Sequence, residues 1–453
     1  MVVGFDYGSS NCAMGILQQN TVSLVPLEQG KHYLPSTLYA LHNSLISDLV
    51  AQNLSGNDQT AYRTSRAGIL KSAQFARNDL DLEIAESGVF VGQQAIEEYI
   101  SMPEEGYFVK SPKSFFGAIG LKPEQIAFFE DIASAMIVEL KRRAEQHLGR
   151  TLTHTVIGRP VNFQAVGGEE SNRQAIDILT TAARRAGFKE VEFLFEPLAA
   201  GIDFESNLQH DQKVLVVDIG GGTSDCSFVQ MGPSFRDNTD RSGDFMAHTG
   251  KRIGGNDLDI ALAFHKLMPT CGLGGEFKSG LPLPHQIFWQ ACKINDIQMQ
   301  SDFYSSAFGR ELVTMLRDVK EANKLARLQV IHENKMTHQF VRQAELAKIA
   351  LSEVSEYSAD LSFVEVQLMQ QINITELEES VNSSLSQITH LAQQAITDAG
   401  VQPDAIYLTG GSAQSPLLKQ ALREALGNIP MLNGDNFGSV TAGLTKWAER
   451  IYR

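Results

Sequence analysis

Two short segments of this chain share one pattern, and that repetition constrains the fold more than any other feature. Residues 3–10 and 216–223 each contain an apolar run, an aspartate, a spacer, and then glycine with small or hydroxyl residues. Each segment continues into a second apolar stretch, which predicts a β-hairpin closed by a tight glycine turn. Because one copy lies in each half of the chain, we infer an old duplication that produced two similar lobes with a cleft between them.

The tips of these predicted hairpins have a distinctive chemistry. Backbone N–H groups and hydroxyls in a glycine turn suit the oxygens of a phosphate. The aspartates beside them, Asp6 and Asp218, suit a hydrated Mg²⁺. Two such tips facing one another would hold a polyphosphate from both sides.

Composition argues against several classes of protein. A chain of 453 residues is expected to form two or three domains. Its net charge of −15, without a lysine or arginine block, argues against a nucleic-acid partner. The four cysteines form no CxxC pair, which argues against zinc and disulfides and predicts a cytoplasmic protein with reduced thiols. The first strand leaves no room for a signal peptide, and no apolar run approaches the roughly 20 residues of a membrane helix, so no membrane partner is expected.

Strand-like and helix-like stretches alternate along the chain, which predicts an α/β fold. The duplicated hairpins divide it into a first lobe at 1–210 and a second lobe at 211–453. We expect the final helix, at 440–451, to pack back on the first lobe.

The second lobe is expected to contain an insertion with a helical subdomain at about 268–345. Its least defined part, 268–336, opens with a Gly/Pro-rich loop and then shows apolar residues at helical spacing over 312–326. This stripe either packs on its own lobe or forms a helix pair that docks a partner. Further along, Thr375 and Glu378 fit a capping box before a long helix.

Several common catalytic and nucleotide-binding motifs are absent from the sequence. Gly30-Lys31 and Gly250-Lys251 both lack the frame of a Walker A loop, and no GxGxxG opens a strand-to-helix unit. The sequence contains neither HExxH nor GxSxG. P-loop, Rossmann, zinc-protease and α/β-hydrolase interpretations are therefore disfavoured.

Six other motifs follow one another in a fixed order. They are Asp6 with Gly8-Ser9-Ser10-Asn11, Glu196-Pro197, Asp218 with Gly220-Gly221-Gly222-Thr223 and Asp225, Gly254-Gly255, the helical stretch 343–352, and Gly410-Gly411-Ser412. This order resembles the actin-like ATPase superfamily, and most closely the nucleotide-binding domain of DnaK-type heat-shock chaperones. Within that family the chain resembles the YegD-type subgroup. The resemblance implies two RNase H-like lobes around a central nucleotide cleft, with a helical insertion in the second lobe.

The resemblance also implies ATP or ADP with Mg²⁺ as ligands, and roles for individual residues. The residues on the β-phosphate side would be Gly8, Ser9, Ser10 and Asn11. Those on the γ-phosphate side would be Gly220, Gly221, Gly222, Thr223 and Asp225, with the turn at Gly254 and Gly255. Asp6 and Asp218 would hold Mg²⁺ through waters, and Glu196 would orient a metal-bound or attacking water. These three carboxylates and Thr223 form the implied catalytic set.

The adenosine end of the cleft is implied by two later motifs. Glu345, Lys348 and Ser352 would face the ribose and base from one side. The other side would be closed by Gly410, Gly411, Ser412 and Gln414. Because Glu345 and Lys348 are one helical turn apart, an ordinary surface ion pair between them is the alternative.

One departure from the family pattern concerns the chemistry of hydrolysis. The family carries a lysine after a Gly-x-x-Ala step, where it contacts the γ-phosphate and the attacking water. Here that position is Ile96, so hydrolysis is expected to be slow or absent unless another cation replaces the lysine. Lys110 and Lys113, a little downstream, are the candidates for this replacement.

The sequence departs from the family pattern at three other places: near the site of the adenine base, in the first lobe, and after the second lobe. Leu198 stands where the family has threonine, and Gln414 lies near the position of an adenine-stacking arginine. Arg159 precedes Pro160 where the family has an apolar residue. The sequence ends at Arg453, so we expect no peptide-binding β-sandwich and no helical lid.

Three functions and one variant remain open from the sequence. The first is a DnaK-related ATPase that acts as a nucleotide-driven switch on an unidentified protein client or co-chaperone, which the Glu-Pro-x-Ala-Ala step favours. The second is a small-molecule kinase on the same fold, and the third is an actin-like filament protein. The variant is a nucleotide-binding pseudoenzyme with weak hydrolysis.

Overall fold

The structure is a computed structural model. It describes residues 1–83, 85–103, 105–164, 167–206, 208–236, 238, 241–434 and 438–452.

The first lobe contains nine strands and eight helices within the described residues. In chain order they are β1 Val2–Tyr7, β2 Asn11–Gln18, β3 Thr21–Leu24, β4 Leu34–Pro35, β5 Thr37–Ala40, α1 Ser44–Asn53, α2 Gly56–Ser65, α3 Ala67–Asp79, β6 Val89–Val91, α4 Gln93–Ser101, β7 Tyr107–Lys110, α5 Lys113–Phe116, α6 Pro123–Leu148, β8 His154–Arg159, α7 Gly168–Arg185, β9 Glu190–Phe195 and α8 Glu196–Glu205.

The second lobe supplies the remaining described elements. In chain order they are β10 Gln212–Ile219, β11 Ser224–Met231, β12 Phe245–Lys251, α9 Gly255–Leu262, α10 His285–Cys292, α11 Ile297–Phe303, α12 Ser306–Asp318, α13 Ala322–Glu333, α14 Thr337–Ala350, β13 Glu356–Asp360, β14 Met369–Asn373, α15 Ile374–Ala399, β15 Ala405–Thr409, α16 Pro416–Leu426, β16 Met431–Asn433 and α17 Gly438–Tyr452.

The two large sheets have the same strand order. It is β3-β2-β1-β8-β9 in the first lobe, where β4 also pairs with β2, and β12-β11-β10-β15-β16 in the second. In each sheet the hairpin and its outer neighbour pair antiparallel, while the last two strands run parallel to the first strand of the hairpin. This repeated topology confirms the predicted α/β fold of two similar lobes.

Buried side chains form a core in each lobe and a third core between them. The first surrounds Phe5, and the second surrounds Phe228. The third combines Leu198 of α8, Val216 of β10 and Leu444 of α17. The two sheets are therefore joined through helices α8 and α17.

Helix α17 lies against β1, β2 and α8 of the first lobe, although in sequence it is the last element of the second lobe. A Cβ on Gly4 would lie 2.3 Å from the backbone nitrogen of Thr445, and a Cβ on Gly443 would lie 1.7 Å from the carbonyl oxygen of Ala199. Only glycine permits these approaches. Helix α17 is thus in close backbone contact with both β1 and α8, and these contacts fix the distance between those two elements.

The longest helices, α6 and α15, each have 26 residues. Helix α6 begins at Pro123, which suits the first turn of a helix, and Gly149 takes the left-handed conformation just after its end. Within the described parts of the chain, no helix is long and apolar enough to cross a membrane.

The insertion differs from its expected form in one respect. The helical spacing over 312–326 is interrupted, because α12 ends at Asp318 and α13 begins at Ala322. Leu312 and Val319 of this stripe are buried in the core of the second lobe. Of the two alternatives, the one in which the stripe packs on its own lobe is therefore observed.

One other local expectation is corrected, and some strands were not predicted. Helix α15 begins at Ile374, and its capping box is formed by Asn373 and Glu376, whose side chains each accept the other's backbone N–H at 3.0 Å. The predicted box of Thr375 and Glu378 is therefore wrong by two residues. The three-stranded sheet β6-β5-β7 and the strand β12 were not predicted.

Candidate functional site

The tips of the two hairpins meet face to face. A Cβ on Gly221 would lie 1.8 Å from Ser10 Oγ, and a Cβ on Gly222 would lie 2.9 Å from Ser114 Oγ and 3.2 Å from Ser9 Oγ. Glycine at these positions is required by the close approach and not by an unusual backbone conformation. The two tips therefore form opposite walls of one cleft.

The cleft is a cavity of about 530 Å³, a volume typical of small-molecule sites. Eighteen residues predicted from the sequence line it: Asp6, Gly8, Ser9, Ser10, Asn11, Glu196, Asp218, Gly220, Gly221, Thr223, Gly255, Glu345, Lys348, Ser352, Gly410, Gly411, Ser412 and Gln414. The structure thus brings together motifs from positions 6 to 414 of the chain.

Three predicted residues lie just outside the lining. Gly254 packs behind the second tip, where an added Cβ would be 2.6 Å from the carbonyl oxygen of Gly220. Asp225 is buried on β11 opposite Asp218, and its carboxylate accepts the backbone N–H of Val161 at 3.3 Å. Gly222 lines a small neighbouring cavity. These residues position the second tip from behind.

Buried carboxylates give the floor of the cleft its electrostatic character. Burial, followed by the charge of Glu196, raises the pKa of Asp6 to about 7 and the pKa of Asp225 to about 7. Burial raises the pKa of Asp218 well above its usual range, and the charges of Glu196, Asp225 and Asp6 add to this effect. Such a site favours either protonated carboxyls or a bound cation.

The donor set fits a hydrated divalent cation. Asp6 and Asp218 line the same cleft, and the charge of Asp6 contributes to the raised pKa of Asp218. Among the described residues, no three His, Cys, Asp or Glu side chains are grouped to bind a metal directly. Two carboxylates with several retained waters are the usual arrangement for Mg²⁺.

Of the two candidate lysines, Lys113 is the one that lies at Glu196. It begins α5, is only 4 % exposed, forms an ion pair with Glu196, and donates to the carbonyl oxygen of Gly158 at 3.1 Å. Ile96 is buried in helix α4. The turn before Lys113 contains Ser111 at φ 57°, a left-handed conformation that is costly for serine.

The other candidate lysine has a different partner. Lys110 Nζ forms an ion pair with Glu345 at 2.9 Å, and Arg342 pairs with the same carboxylate at 3.1 Å. Burial opposes ionisation of Glu345, but Lys110 and Arg342 outweigh it and lower its pKa to about 2. Lys110 belongs to the first lobe and Glu345 to the second, so this pair bridges the mouth of the cleft.

Lys348 is held independently of Glu345. Its ammonium lies 2.6 Å from Asp259 and donates to the carbonyl oxygen of Gly255 at 3.2 Å. The alternative of a simple ion pair between Glu345 and Lys348 is therefore wrong, because each side chain has its own partners. Ser352 donates to the carbonyl oxygen of Lys348 at 3.3 Å, on the next turn of the same chain segment.

The third glycine turn closes the cleft from the second lobe. Gly410 has φ 86°, and a Cβ there would lie 2.4 Å from the carbonyl oxygen of Ile219 and 2.7 Å from Asp218 Oδ1. Ser412 lies beside Gly255, whose added Cβ would be 2.7 Å from Ser412 Oγ. The turn therefore needs glycine for both its conformation and its contact with the second hairpin.

Sequence reasoning missed other residues that line the cleft. They are Tyr33, Asn256, Leu258, Asp259, Ile349, Glu353, Ser415 and Val440. Asp259 lies four residues after Gly255 in helix α9, and Ile349 directly follows Lys348, so helical spacing from the predicted residues was the available signal. Tyr33 precedes strand β4 and has no comparable local signal.

A comparison with known families decides which family this cleft belongs to. The sequence profile of the Hsp70 protein family matches residues 117–268 and 302–445, more than half of the chain. The chain belongs to the Hsp70 family. The suspected relation to DnaK-type chaperones is confirmed at this level, and Hsp70 proteins bind ATP and ADP with Mg²⁺.

Individual Hsp70 relatives are similar over nearly the whole chain. The chaperone protein dnaK3 of Thermosynechococcus vestitus is 24 % identical over 445 residues, which is 95 % of this chain and 52 % of the relative. The chaperone protein dnaK of Emiliania huxleyi is 23 % identical over 461 residues, which is 98 % of this chain and 59 % of the relative. The chain thus spans about half to three-fifths of the length of these relatives.

Proposed function

We propose that this protein binds Mg-ATP in the cleft between the hairpins, hydrolyses it to ADP and phosphate, and acts as a nucleotide-driven conformational switch. The observation that carries this proposal is the convergence of both hairpin tips, Asp6, Asp218 and Glu196 on one cavity, with Lys113 paired to Glu196 beside it. We also propose that the chain belongs to the YegD-type subgroup of DnaK relatives.

The backbone of the hairpin tips prepares the phosphate contacts. In the second tip, the carbonyl oxygens of Gly220 and Gly221 accept the N–H groups of Gly255 and Asn256 at 2.9 and 2.8 Å. The N–H of Gly220 donates to the carbonyl oxygen of Thr223 at 2.9 Å, so the N–H groups that we propose for phosphate oxygens are those of Gly221 and Gly222. The hydroxyl of Thr223 adds a side-chain donor beside them.

The carboxylates and the lysine divide the chemical work. When bound, Mg²⁺ would neutralise charge on the phosphate oxygens, with Asp6 and Asp218 holding its water shell. Glu196 would accept a hydrogen bond from the attacking water, and the ion pair with Lys113 would hold that side chain in place. The water oxygen forms a bond to the γ-phosphorus, the bond from that phosphorus to the bridging oxygen breaks, and its electron pair stays on ADP. One proton of the water stays on the attacking oxygen, and the other passes to another oxygen of the phosphate product.

The adenosine end would be held by two faces of the second lobe. Lys348 and Ser352 lie on one face, and Gly411 and Ser412 lie on the other. Ile349 lies in the same lining and adds an apolar surface for the base. Because Lys348 is already oriented by Asp259, its ammonium needs little ordering when a ribose enters.

Contacts between the lobes provide the moving part of the switch. Besides the Lys110–Glu345 pair, the Tyr99 hydroxyl donates to the carbonyl oxygen of Lys335 at 2.9 Å and accepts the backbone N–H of Gln339 at 3.3 Å. These contacts join the first lobe to helix α14 across the mouth of the cleft. Nucleotide entry requires them to separate, so ligands that differ in their contacts to the two lobes would shift the populations of open and closed forms.

Protein clients or co-chaperones are the proposed partners of the switch, which fits its membership of the Hsp70 family. The four cysteines are free, buried thiols, which supports the reducing, cytoplasmic compartment that we propose for it.

Calorimetric titration with ATP and ADP, with and without Mg²⁺, followed by measurement of ADP and phosphate, tests the proposal. We expect Mg²⁺-dependent binding of both nucleotides and conversion of ATP without an added acceptor. Absence of nucleotide binding would overturn the proposal. Conversion that depends on a sugar or acid acceptor would identify a kinase instead.

A further inference from the structure

The turn that leads into Lys113 has a costly backbone conformation. Ser111 follows strand β7, is buried, and has φ 57°. A residue with a Cβ adopts this left-handed conformation at a cost in free energy, so it persists only where surrounding contacts fix it. Pro112 and then Lys113, the first residue of α5, come directly after it. The conformation of Ser111 therefore sets the direction in which Lys113 leaves strand β7.

Two of the contacts that fix this turn come from the first lobe. The backbone N–H of Ser111 donates to the carbonyl oxygen of Ser36 at 2.8 Å, and its carbonyl oxygen accepts the N–H of Ser114 at 3.0 Å. Ser36 also holds the first hairpin tip, because its hydroxyl donates to the carbonyl oxygen of Gly8 at 2.5 Å. The turn is thus connected to the first tip through one serine.

A third contact comes from the second lobe. The side-chain amide of Asn256 donates to the Ser111 hydroxyl at 3.1 Å, and both residues are buried. Asn256 lies in the first turn of α9, where its backbone N–H donates to the carbonyl oxygen of Gly221 at 2.8 Å. Asn256 therefore contacts the second hairpin tip with its backbone and the Ser111 turn with its side chain.

The ammonium group of Lys113 has its partners in the first lobe only. It pairs with Glu196 and donates to the carbonyl oxygen of Gly158 at 3.1 Å. The backbone turn before this lysine, in contrast, also depends on Asn256 of the second lobe. The position of Lys113 is therefore sensitive to the distance between the lobes, although its own charge partner is not.

We propose that Asn256 is a positioning residue that couples closure of the cleft to the placement of Lys113 beside Glu196. With the lobes closed, the Asn256 side chain helps to hold Ser111 in its left-handed conformation. When the lobes separate, the Ser111 hydroxyl loses this partner, the turn relaxes, and Lys113 is no longer held at Glu196. Asn256 acts through Ser111 and Lys113 and not on the reacting atoms.

This inference rests on the proposed ATP hydrolysis and adds an order of events to it. A nucleotide bound while the lobes are apart meets an incomplete catalytic set, because Lys113 is not yet in place. ATP therefore binds before the Asn256–Ser111 hydrogen bond forms and is cleaved only afterwards. Loss of this hydrogen bond is expected to lower turnover and to leave nucleotide affinity nearly unchanged.

Two substitutions at position 111 separate the hydrogen bond from the backbone conformation. Ser111→Ala removes the hydroxyl and keeps a Cβ, so the costly conformation loses its contact with Asn256. Ser111→Gly also removes the hydroxyl, but glycine adopts this φ without a steric cost. We expect ATP turnover to fall by about tenfold in Ser111→Ala, in line with the loss of one hydrogen bond, and clearly less in Ser111→Gly.

Asn256→Ala removes the same hydrogen bond from the other lobe. It is expected to lower turnover by about tenfold, and the combination with Ser111→Ala is expected to cause no further loss, because both changes delete one interaction. In the Ser111→Gly background, Asn256→Ala is expected to have little effect. Calorimetry is expected to give nearly parental Mg-ATP affinity throughout, whereas a general loosening of the protein would lower affinity and turnover together.

The matched controls are substitutions at Gln367, a second non-glycine residue in the left-handed region. Its φ is 64°, and it is exposed in the loop between β13 and β14. Gln367→Ala and Gln367→Gly are expected to turn over ATP like the parent. Far-ultraviolet circular dichroism and thermal unfolding of each variant check that it is folded before rates are compared.

The reactivity of Lys113 supplies a readout that does not depend on ATP turnover. The full chain is treated briefly with acetic anhydride, and the acetylated lysines are quantified by mass spectrometry. Lys113 is expected to react slowly in the parent, where it is buried, and faster in Ser111→Ala and Asn256→Ala. Lys141, a buried lysine of α6, is the internal reference and is expected to stay slow in every variant.

The outcomes distinguish this inference from the proposed function. If the parent hydrolyses ATP, but folded Ser111→Ala and Asn256→Ala keep parental turnover and slow acetylation of Lys113, the positioning role is wrong and the proposed function stands. Equal losses of turnover in Ser111→Ala and Ser111→Gly would also overturn the positioning role, because the backbone conformation would then not be the link. If the parent binds Mg-ATP without hydrolysing it, the proposed hydrolysis and this inference fall together.

Discussion

In the first hairpin tip the side chains of Ser9 and Ser10 face the cleft, whereas residues 220–222 of the second tip carry no side chains. In both tips, however, two backbone carbonyl oxygens accept hydrogen bonds from outside the hairpin. In the first, the carbonyl oxygens of Gly8 and Ser10 accept hydrogen bonds from Ser36, through its hydroxyl at 2.5 Å and its backbone N–H at 2.8 Å. In the second, backbone N–H groups at the start of helix α9 do this work.

The difference shows how a duplicated turn can hold one ligand from two sides. Two tips with hydroxyl side chains would collide at this distance, since even a Cβ on Gly221 would meet Ser10 Oγ. The first tip therefore contributes hydroxyl side chains to the cleft, and the glycines of the second tip leave room for them. The asymmetry extends to the floor of the cleft, where Asp6 lies opposite Ala13 but Asp218 lies opposite Asp225.

The largest expected effect comes from adding a side chain to the second tip. Gly221→Ala places a Cβ against Ser10 and forces the lobes apart, so ATP turnover is expected to fall by about a hundredfold or more. Steady-state phosphate release measures it. Gly68→Ala, in open space on helix α3, is the matched control. Equal turnover in the two variants would show that the tips do not need this approach, and Ser10→Gly combined with Gly221→Ala is expected to recover part of the loss.

The next effect concerns Glu196, which lies between the two tips. Glu196→Gln removes the carboxylate that orients water, so turnover is expected to fall by about a hundredfold. Mg-ATP affinity is expected to change much less, because the tips and Mg²⁺ hold the phosphates. Single-turnover kinetics and calorimetry separate the two quantities. Glu192→Gln, an exposed change on strand β9, serves as the control, and normal turnover in Glu196→Gln would remove this residue from the mechanism.

A smaller effect tests how the first tip is anchored. Ser36→Ala deletes the hydroxyl that donates to the Gly8 carbonyl, so that carbonyl loses its partner. We expect Mg-ATP affinity to fall by about tenfold, in line with an unsatisfied polar group. The second tip offers no equivalent variant because its donors are backbone N–H groups. Unchanged affinity would mean that the first tip keeps its geometry without this hydrogen bond.

The smallest effect concerns pH and the carboxylate that only the second hairpin has. Because Mg²⁺ needs ionised ligands, its affinity is expected to fall as the pH drops through about 7, where Asp6 titrates. Asp218 also has a raised pKa, and Asp225→Asn removes one of the charges that raise it, so the part of this loss that comes from Asp218 is expected to move to lower pH by about one unit or less. Mg²⁺ titrations from pH 5.5 to about 8 measure the shift, with Asp58→Asn as an exposed control. An unchanged profile would show that Asp225 does not influence the cation site.

The same carboxyls set the sign of a stability change. Asp6 and Asp225 have pKa values of about 7 in the folded protein, against the usual 3.8. Their contribution to the stability of the metal-free protein is therefore fully present below about pH 4 and is lost as the pH rises through about 7. Chemical denaturation without Mg²⁺ is expected to show this loss, and Asp225→Asn is expected to reduce it.

The parts of the site that follow from local pattern were predictable. Both hairpins, their glycine tips and helix α6 are determined by short-range periodicity and turn residues, and the family resemblance supplied the order of the motifs. The start of α15 was misplaced because Asn373 and Thr375 are both acceptable caps, and the structure forms the capping box with Asn373 and Glu376.

The parts of the site that depend on tertiary contact were not predictable. Lys113 was only one of two candidate lysines, because its position depends on the left-handed turn at Ser111 and on contact with Glu196. Arg252 had no signal at all, since its place beside the cleft depends on the end of β12 and on the insertion. The sheet β6-β5-β7 consists of strands too short for a clear alternation.

Helix α17 has a consequence for biosynthesis. Its contact with β1 and α8 means that the sheet synthesised first is completed by residues 438–452, which leave the ribosome after the whole second lobe. Until then the face of β1 and β2 around Gly4 and Gly15, which α17 covers in the folded protein, remains exposed. We therefore expect the first lobe to complete its fold only after this helix has been synthesised. A chain released before residue 438 would expose this face of β1 and β2 to chaperones and proteases.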